Sequence, residues 1–504
     1  MKLHQKLLPQ LTPIEKQRRV LAKLLSKAQW TEFGRAYDFE GIRHKADVIG
    51  AFRAAVPVFD YESMYEQWWH RSLKGEPNIA WPGDISYFAL TSGTSIGSSK
   101  YVPVTKDMLK SIQKVGVKIM WSFAKKKYRH LLRHKIFILG GCSSLEQKNN
   151  LYVGDLSGIN IKNTPFWFNK LYVPGKDISG ISDWNERIEK MVDMAPQWDI
   201  GIITGIPSWV YLLLDKIIKR YDLESIHDIW PNLGAFVHGG IAFSPYRGTF
   251  DKLLRKPIIY VDTYLASEGF IAYQKEVEDQ YMTLALKDNI FFEFIPFDSD
   301  HYDADGRLIN DRDVLDVSEV EAGKEYALLL SNTAGAWRYQ IGDVIRFEDV
   351  KKCQISIVGR TKLFLSICGE HLSIDNMTMA IEEVREKTGL DLTNFTVYAE
   401  KRGDYFFHKW FVGLKSGEEA NDPATIRQII DKTLMRLNDD YRTERGSVLK
   451  DPELVVLPET LFYEFLEHEG KLGGQHKFPN VLKGAIKDRW ISFLASTNRT
   501  NKSV

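Results

Sequence analysis

Apolar residues recur at helical spacing near the start of the chain. Ile14, Val20, Leu21, Leu24 and Leu25 fall on one face over 14–27, and Pro13 stands where a first-turn proline belongs. The same pattern predicts a helix over 61–72, which carries the pair Trp68-Trp69, either a ligand cage or core packing. A third helix is predicted over 107–127, with Met108, Ile112, Val115 and Ile119 on one face. Short apolar runs then alternate with helical ones. Those at 85–90, 101–104, 135–139, 199–204, 233–238, 257–262 and 290–296 read as strands, and 208–220 as a helix. This alternation predicts an α/β fold in which helices cover a sheet on both faces. Ligands of such sheets sit beyond the carboxyl ends of strands. Polar and glycine-rich residues collect at such ends, at 91–100, 239–240 and 263–269.

The rhythm changes after Ala322. Runs at 326–331, 344–347 and 355–358 read as strands of a small β unit, with 332–343 as a connection. After Gly359-Arg360-Thr361-Lys362 the order becomes helix (375–387), strand (395–400), strand (406–414), helix (425–441) and strand (453–457). The expected organisation is a large N-terminal domain, 1–358, of helix-covered sheets plus the small β unit. A smaller α+β C-terminal domain, 359–504, follows.

Composition narrows the classes. At 504 residues the chain exceeds one ordinary core. A formal net charge of +1 provides no global field toward nucleic acid or a membrane surface. The basic cluster at 125–130 reads as a solvated helix end, and no run of eighteen apolar residues occurs. Neither a nucleic acid nor a membrane is expected as a partner. Cys142, Cys353 and Cys368 are too few and scattered for a disulfide framework, and the charged, helical N-terminus does not read as a signal peptide. These features predict a cytoplasmic protein.

Candidate chemistry lies in five stretches. Thr91 to Lys100 holds six hydroxyl residues, two glycines and a terminal cation, which makes it either an anion cradle or an ordinary turn. Its glycine spacing is not that of a Walker loop. Asp262 to Gly269 places an aromatic, a hydroxyl and a carboxylate at a strand exit, where Glu268 is either a Mg²⁺ ligand or a solvated carboxylate. Trp337 to Asp343 ends in a carboxylate after glycine, able to accept from a ribose diol or simply to close a hairpin. Gly359 to Lys362, with Gly369-Glu370-His371-Leu372, is the fourth stretch. The fifth is Gly473 to Pro479, where Lys477 is either a mobile cation for a phosphate or a solvent-facing lysine.

In this order the stretches resemble one family. They look like adenylate-forming enzymes, the superfamily of firefly luciferase and acyl-CoA ligases, and within it the auxin-responsive acyl acid–amido synthetases. That branch carries Ser-Ser-Gly-Thr-Ser-x-Gly-x-x-Lys, matched by 91–100 with Thr91 for the first Ser. Its Tyr-x-Ser-Ser-Glu is matched by 264–268 with Ala266 for the first Ser. Its Tyr-Arg-x-Gly-Asp is matched by 339–343, with Gln340 in place of Arg and Arg338 next door. Gln475 to Pro479 resembles the branch's Gln-Tyr-Lys-x-Pro, and Thr31 to Tyr37 also looks like the branch. The shorter loops and Ala266 look more like bacterial members than plant ones.

The resemblance implies a two-step ligase. A carboxylic acid attacks ATP to form an acyl adenylate, and the amine of an amino acid then displaces AMP. It implies that Ser92, Gly93, Thr94 and Ser95 hold the β- and γ-phosphates, while Glu268 holds Mg²⁺ with Ser267 near a phosphate. Tyr264 would lie against adenine, whose amino edge meets backbone around Gly239-Gly240, and Asp343 would accept from the ribose hydroxyls. Lys477 would reach the reacting carboxylate from a small domain that rotates about Lys362, and Lys100 would assist the phosphates or anchor its loop. Phe166, Trp167, Phe168 and Trp209 are wall pieces of the acyl pocket or ordinary core. None of the twelve histidines has metal or triad spacing; His238 is the one to test as base for the amine. Alternatives to amide formation are an acyl-CoA ligase, a stand-alone adenylating enzyme, or a non-catalytic nucleotide-binding homologue.

Overall fold

The computed structural model describes residues 11–497, apart from 92–99, 125–126, 149, 241–242, 304–305, 362–364, 366, 369, 371, 403–404, 416–421, 446–447 and 471–477. Eleven strands form one mixed sheet. Its parallel half runs Tyr172–Val173, Lys135–Leu139, Ile200–Gly205, Ala235–Gly239 and Ile259–Ala266. Its antiparallel half continues from Ile259–Ala266 through Gly269–Tyr273, Met282–Leu284, Gln354–Arg360, Tyr339–Asp349 and Glu325–Asn332 to Ile290–Pro296. Ile259–Ala266 is therefore parallel to one neighbour and antiparallel to the other. The strands expected as a small β unit exist, but they join the parallel strands edge to edge. Ile290–Pro296, expected among the alternating strands, lies at the far antiparallel edge.

Helix Pro13–Ala28 starts from Thr12, whose side chain and Glu15 cap each other's backbone N–H groups. Together with helices Glu32–Ala36, Phe39–Arg43 and Val48–Ala55 it shares an apolar core with the antiparallel strands. Trp337 anchors this layer. It is fully buried against Phe33, Phe39 and Phe52 and donates its indole N–H to Ala80 O at 3.0 Å. Trp69 is fully buried and Trp68 packs on Phe33, so this pair serves the core rather than a ligand cage. Helix Lys106–Ala124 covers one face of the sheet, and Pro207–Tyr221 shares the second core cluster with Phe137, Ile203 and Phe236. A separate sheet of Tyr87–Thr91, Lys100–Val104, Leu151–Gly154 and Glu146–Lys148 flanks the whole.

Beyond 372 a three-stranded sheet, Leu392–Arg402, Tyr405–Leu414 and Glu453–Pro458, has its own two cores. Alternation decides which face each residue serves. Val397 and Trp410 pack with helices Ile374–Thr388 and Pro423–Leu437, while Tyr398 and Phe411 pack with Thr460–His468 and Gly484–Ser496. Glu370 lies in this unit, fully buried, and accepts from the N–H groups of Ile367 and Cys368 and bonds the His408 imidazole at 2.7 Å. Burial alone would raise its carboxyl; His408 and the backbone outweigh that and hold it at about 2.

Arg338 belongs to the core. With φ +42 it turns inward, donates to Glu293 at 3.2 Å, and donates to the carbonyls of Val56 and Arg53 at 2.7 and 3.1 Å. It thereby ties the N-terminal segment to the start of strand Tyr339–Asp349, an arrangement extended by Phe59, whose carbonyl accepts from Gln340 N at 2.7 Å. Removing the guanidinium leaves Glu293, 1% exposed, short of a partner. Arg338→Ala is expected to cost about 3 kcal/mol, read as a lower urea midpoint. Arg338→Lys does not restore it, because one ammonium cannot span the same fork of partners.

Candidate functional site

The site forms where the mixed strand turns. Ala266 pairs with Gly269, which leaves Ser267 and Glu268 as the two residues of a tight turn. Gly269 has φ +144, a backbone that side chains rarely adopt. The turn is tucked inward: Ser267 and Glu268 are each 7% exposed, and Asn332 donates to the Glu268 carbonyl at 2.8 Å.

Asp343 arrives on Tyr339–Asp349. This stretch is a strand interrupted by register shifts, not a plain connection. Gly342, at φ +85, breaks the pleat next to the carboxylate, and its carbonyl accepts from Thr361 N at 2.8 Å. The Tyr264 hydroxyl donates to one Asp343 oxygen and Arg360 Nε donates to the other at 2.8 Å. Asp343 and Arg360 are register partners on adjacent strands, so the pair follows from sheet pairing itself.

The two carboxylates have unequal surroundings. Burial, and then the charge of Asp343, push Glu268 up to about 7, while Arg360 and Lys100 pull it down more weakly. The charge of Asp343 raises Arg360 further above its usual range, and burial raises Tyr264, which stays a hydroxyl donor. An ionised carboxylate has about four acceptor positions, so Asp343 keeps acceptor capacity beyond Tyr264 and Arg360. Glu268 is the group that a divalent cation would relieve. Among the described residues no cluster of three His, Cys, Asp or Glu could hold a metal.

Gly239 and Gly240 end the neighbouring parallel strand. A Cβ on Gly239 would fall 2.3 Å from the Thr263 carbonyl, so a side chain there would push these strand ends apart. The carboxyl ends of Lys135–Leu139, Ile200–Gly205, Ala235–Gly239 and Ile259–Ala266 all open on one cleft of about 2060 Å³. Tyr264, Ser267, Glu268, Asp343, Gly239 and Gly240 line it together. An apolar arm runs under helix Lys106–Ala124, past Ile112, Ile119, Met120 and Ile202. A second arm passes Trp209, Phe243 and Tyr246 and faces Tyr463, Phe465 and Phe478 of the C-terminal unit.

Ser92, Gly93, Thr94, Ser95, Lys362 and Lys477 lie outside the described residues. Lys100, at the end of the first loop, sits 4.6 Å from the Tyr61 ring centre and 3.8 Å from Glu62, partners that suit an anchor. Phe168 and Trp209 line the cleft, whereas Phe166 is 84% exposed. Gln340 lines the cleft where the branch pattern has Arg, and Arg338 faces away into the core. Arg360 is the residue that sequence reasoning missed as a site group. Its signal lies in Gly359 to Lys362, which the sequence marks as a candidate stretch and as a domain boundary without assigning the arginine a role.

Comparison with known proteins agrees with this geometry. Residues 10–144 match the GH3 family N-terminal domain, 283–360 its central domain and 375–485 its C-terminal domain. An indole-3-acetic acid-amido synthetase, GH3.2 of Arabidopsis thaliana, is 21% identical over 524 residues, spanning 86% of this chain and 94% of that protein. The solved GH3.15 acyl acid amido synthetase superposes with a TM-score of 0.77 at 18% identity, over 97% of this chain and 94% of that one. A 2-hydroxyisobutyryl-CoA ligase in its postadenylation state superposes with a TM-score of 0.60 at 13% identity, over 95% and 91% of the two chains. With its three family domains matched in order and its fold shared with a solved member, this chain belongs to the GH3 family.

Proposed function

We propose that this protein is an acyl acid amido synthetase, which activates a small carboxylic acid with ATP and transfers the acyl group to the amine of an amino acid. The observation that carries this reading is the meeting of Glu268, Asp343, Tyr264 and Arg360 at the strand ends of one cleft. The names of the amido synthetases it resembles support it. Asp343, held by Arg360 and Tyr264, accepts from the ribose hydroxyls, and adenine lies beside Tyr264 and Gly239-Gly240. Glu268, with Ser267 beside a phosphate, holds Mg²⁺, which supplies charge neutralisation on the polyphosphate. Ser92, Gly93, Thr94 and Ser95 cradle the β- and γ-phosphates. The acyl body enters the apolar arm under helix Lys106–Ala124. Lys477 brings the cation that lets a carboxylate approach the α-phosphate, carried by a C-terminal domain, 359–504, that turns about Lys362. Bringing two anions together in a low-dielectric cleft makes such preplaced charge the main catalytic requirement. Three free cysteines and the need for ATP fit the cytoplasm. Among the described residues no helix is long and apolar enough to cross a membrane.

Hydroxylamine trapping over a panel of carboxylic acids tests the reading: acid-dependent hydroxamate and pyrophosphate are expected, with amide from amino acids and no thioester from CoA. Thioester without amide would replace it with the CoA-ligase reading, and no pyrophosphate across the panel would sink both. Lys477→Ala is expected to lower pyrophosphate formation at least a hundredfold while ATP still binds, checked by calorimetry beside the exchange assay.

Glu268 supplies a pH test. Its folded carboxyl is raised from 4.5 to about 7, so the folded state binds the extra proton between these values. Stability is full below about 4.5, falls as pH rises toward 7 and is flat above, a change of about 3 kcal/mol in the ligand-free protein. Mg²⁺ requires the ionised form, so its apparent affinity in the exchange assay is expected to rise with pH through about 7. Glu268→Gln removes both slopes and weakens Mg²⁺-dependent adenylation. Identical Mg²⁺ titrations in both proteins would remove Glu268 from metal binding.

A further inference from the structure

A second polar group lies on the same strand ends, apart from the Glu268–Asp343 centre. His238 is the register partner of Asp262, whose Oδ1 stands 3.4 Å from His238 Nδ1. The imidazole is 4% exposed and stacks on Phe243 with ring centres 4.3 Å apart. Nδ1 is buried and among the described residues has no hydrogen-bond partner, and His238 lines the cleft. Phe243 also packs on Tyr260, 4.5 Å between centres, and the Arg247 guanidinium lies 5.4 Å over that Tyr260 ring. Arg247 is exposed, lines the same cleft, and among the described residues forms no ion pair.

The cluster thus sets a cation with no ion pair among the described residues and an imidazole–carboxylate pair at the two ends of the Phe243–Tyr260 ring pair. That is the charge pattern of a zwitterion read in reverse. We propose that Arg247, His238 and Asp262 form the acceptor site for an α-amino acid, with Arg247 holding the α-carboxylate and the amine lying between Asp262 and the His238 imidazole. The site rests on the amide-forming reading above. A planar guanidinium matches a carboxylate in two parallel hydrogen bonds. Asp262, with a side chain 43% exposed, attracts the incoming ammonium. The ammonium sheds one proton to water. The neutral nitrogen then forms the C–N bond to the acyl carbonyl carbon, the bond from that carbon to the AMP phosphate oxygen breaks, and AMP leaves with the electron pair. The second nitrogen proton goes to the unprotonated ring nitrogen of His238 and on to cleft water.

The test separates nucleophiles that carry a carboxylate from those that do not. With the best carboxylic acid, amide formation is followed against the preferred amino acid, its α-carboxamide and hydroxylamine. Arg247→Ala is expected to raise KM for the amino acid at least tenfold while KM for the carboxamide and hydroxamate formation stay in place. His238→Gln is expected to lower kcat at saturating amino acid at least tenfold. An unchanged KM for the amino acid in Arg247→Ala, or an equal rise for the carboxamide, would overturn the carboxylate role. An unchanged kcat in His238→Gln would overturn the proton role. If wild-type enzyme forms hydroxamate but no amide from any of the twenty amino acids, the amide reading falls, and this site with it.

Discussion

Two carboxylates are buried at one turn of the sheet, and only one of them has a countercharge in contact. Asp343 is gripped by Arg360 and by the Tyr264 hydroxyl. Glu268 has neither, and its proton is held by burial and by the negative charge next door. Under the proposed function, a cation arriving with a polyphosphate would remove a repulsion that the fold alone tolerates by keeping a proton. The surrounding architecture serves this arrangement. The tight turn keeps Glu268 out of water, and the break at Gly342 sets Asp343 beside its two donors.

The mixed sheet explains why the cleft contains several kinds of surface. Its parallel half supplies open strand ends, where glycines leave room for a ligand. Its antiparallel half supplies the carboxylates and the guanidinium. Helices on the two faces then give each arm a different lining, aliphatic under Lys106–Ala124 and aromatic around Trp209 and Phe243. Under the proposed function, one continuous cleft takes a nucleotide, an acyl acid and an amino acid at separate places.

Much of this was legible in the sequence because it is local. Helix faces, strand runs and the Tyr264–Glu268 stretch depend on neighbours within a turn or two. What escaped was set by pairing across long stretches. Tyr339–Asp343 resembles a loop because a register shift between Gln340 and Val344 destroys the alternation that marks a strand. Arg360 is identified as a partner of Asp343 only once the strands are side by side. Arg338 and Gln340 sit two apart, yet a positive φ at Arg338 sends it into the core while Gln340 meets the cleft.

The double allegiance of strand Ile259–Ala266 also bears on how the chain assembles. Its hairpin with Gly269–Tyr273 closes between near neighbours, so the turn that holds Glu268 needs no distant contact. Its parallel side waits for Ala235–Gly239 across a helix, and Asp343 comes from much further along the chain. Distant pairings form more slowly than local ones. The two like charges therefore meet late, and Asp343 does not arrive alone: Arg360 lies opposite it in the same hairpin. The sheet pairs acid with base before it brings acid to acid, so a folding intermediate is spared the bare repulsion that the finished site retains only at Glu268.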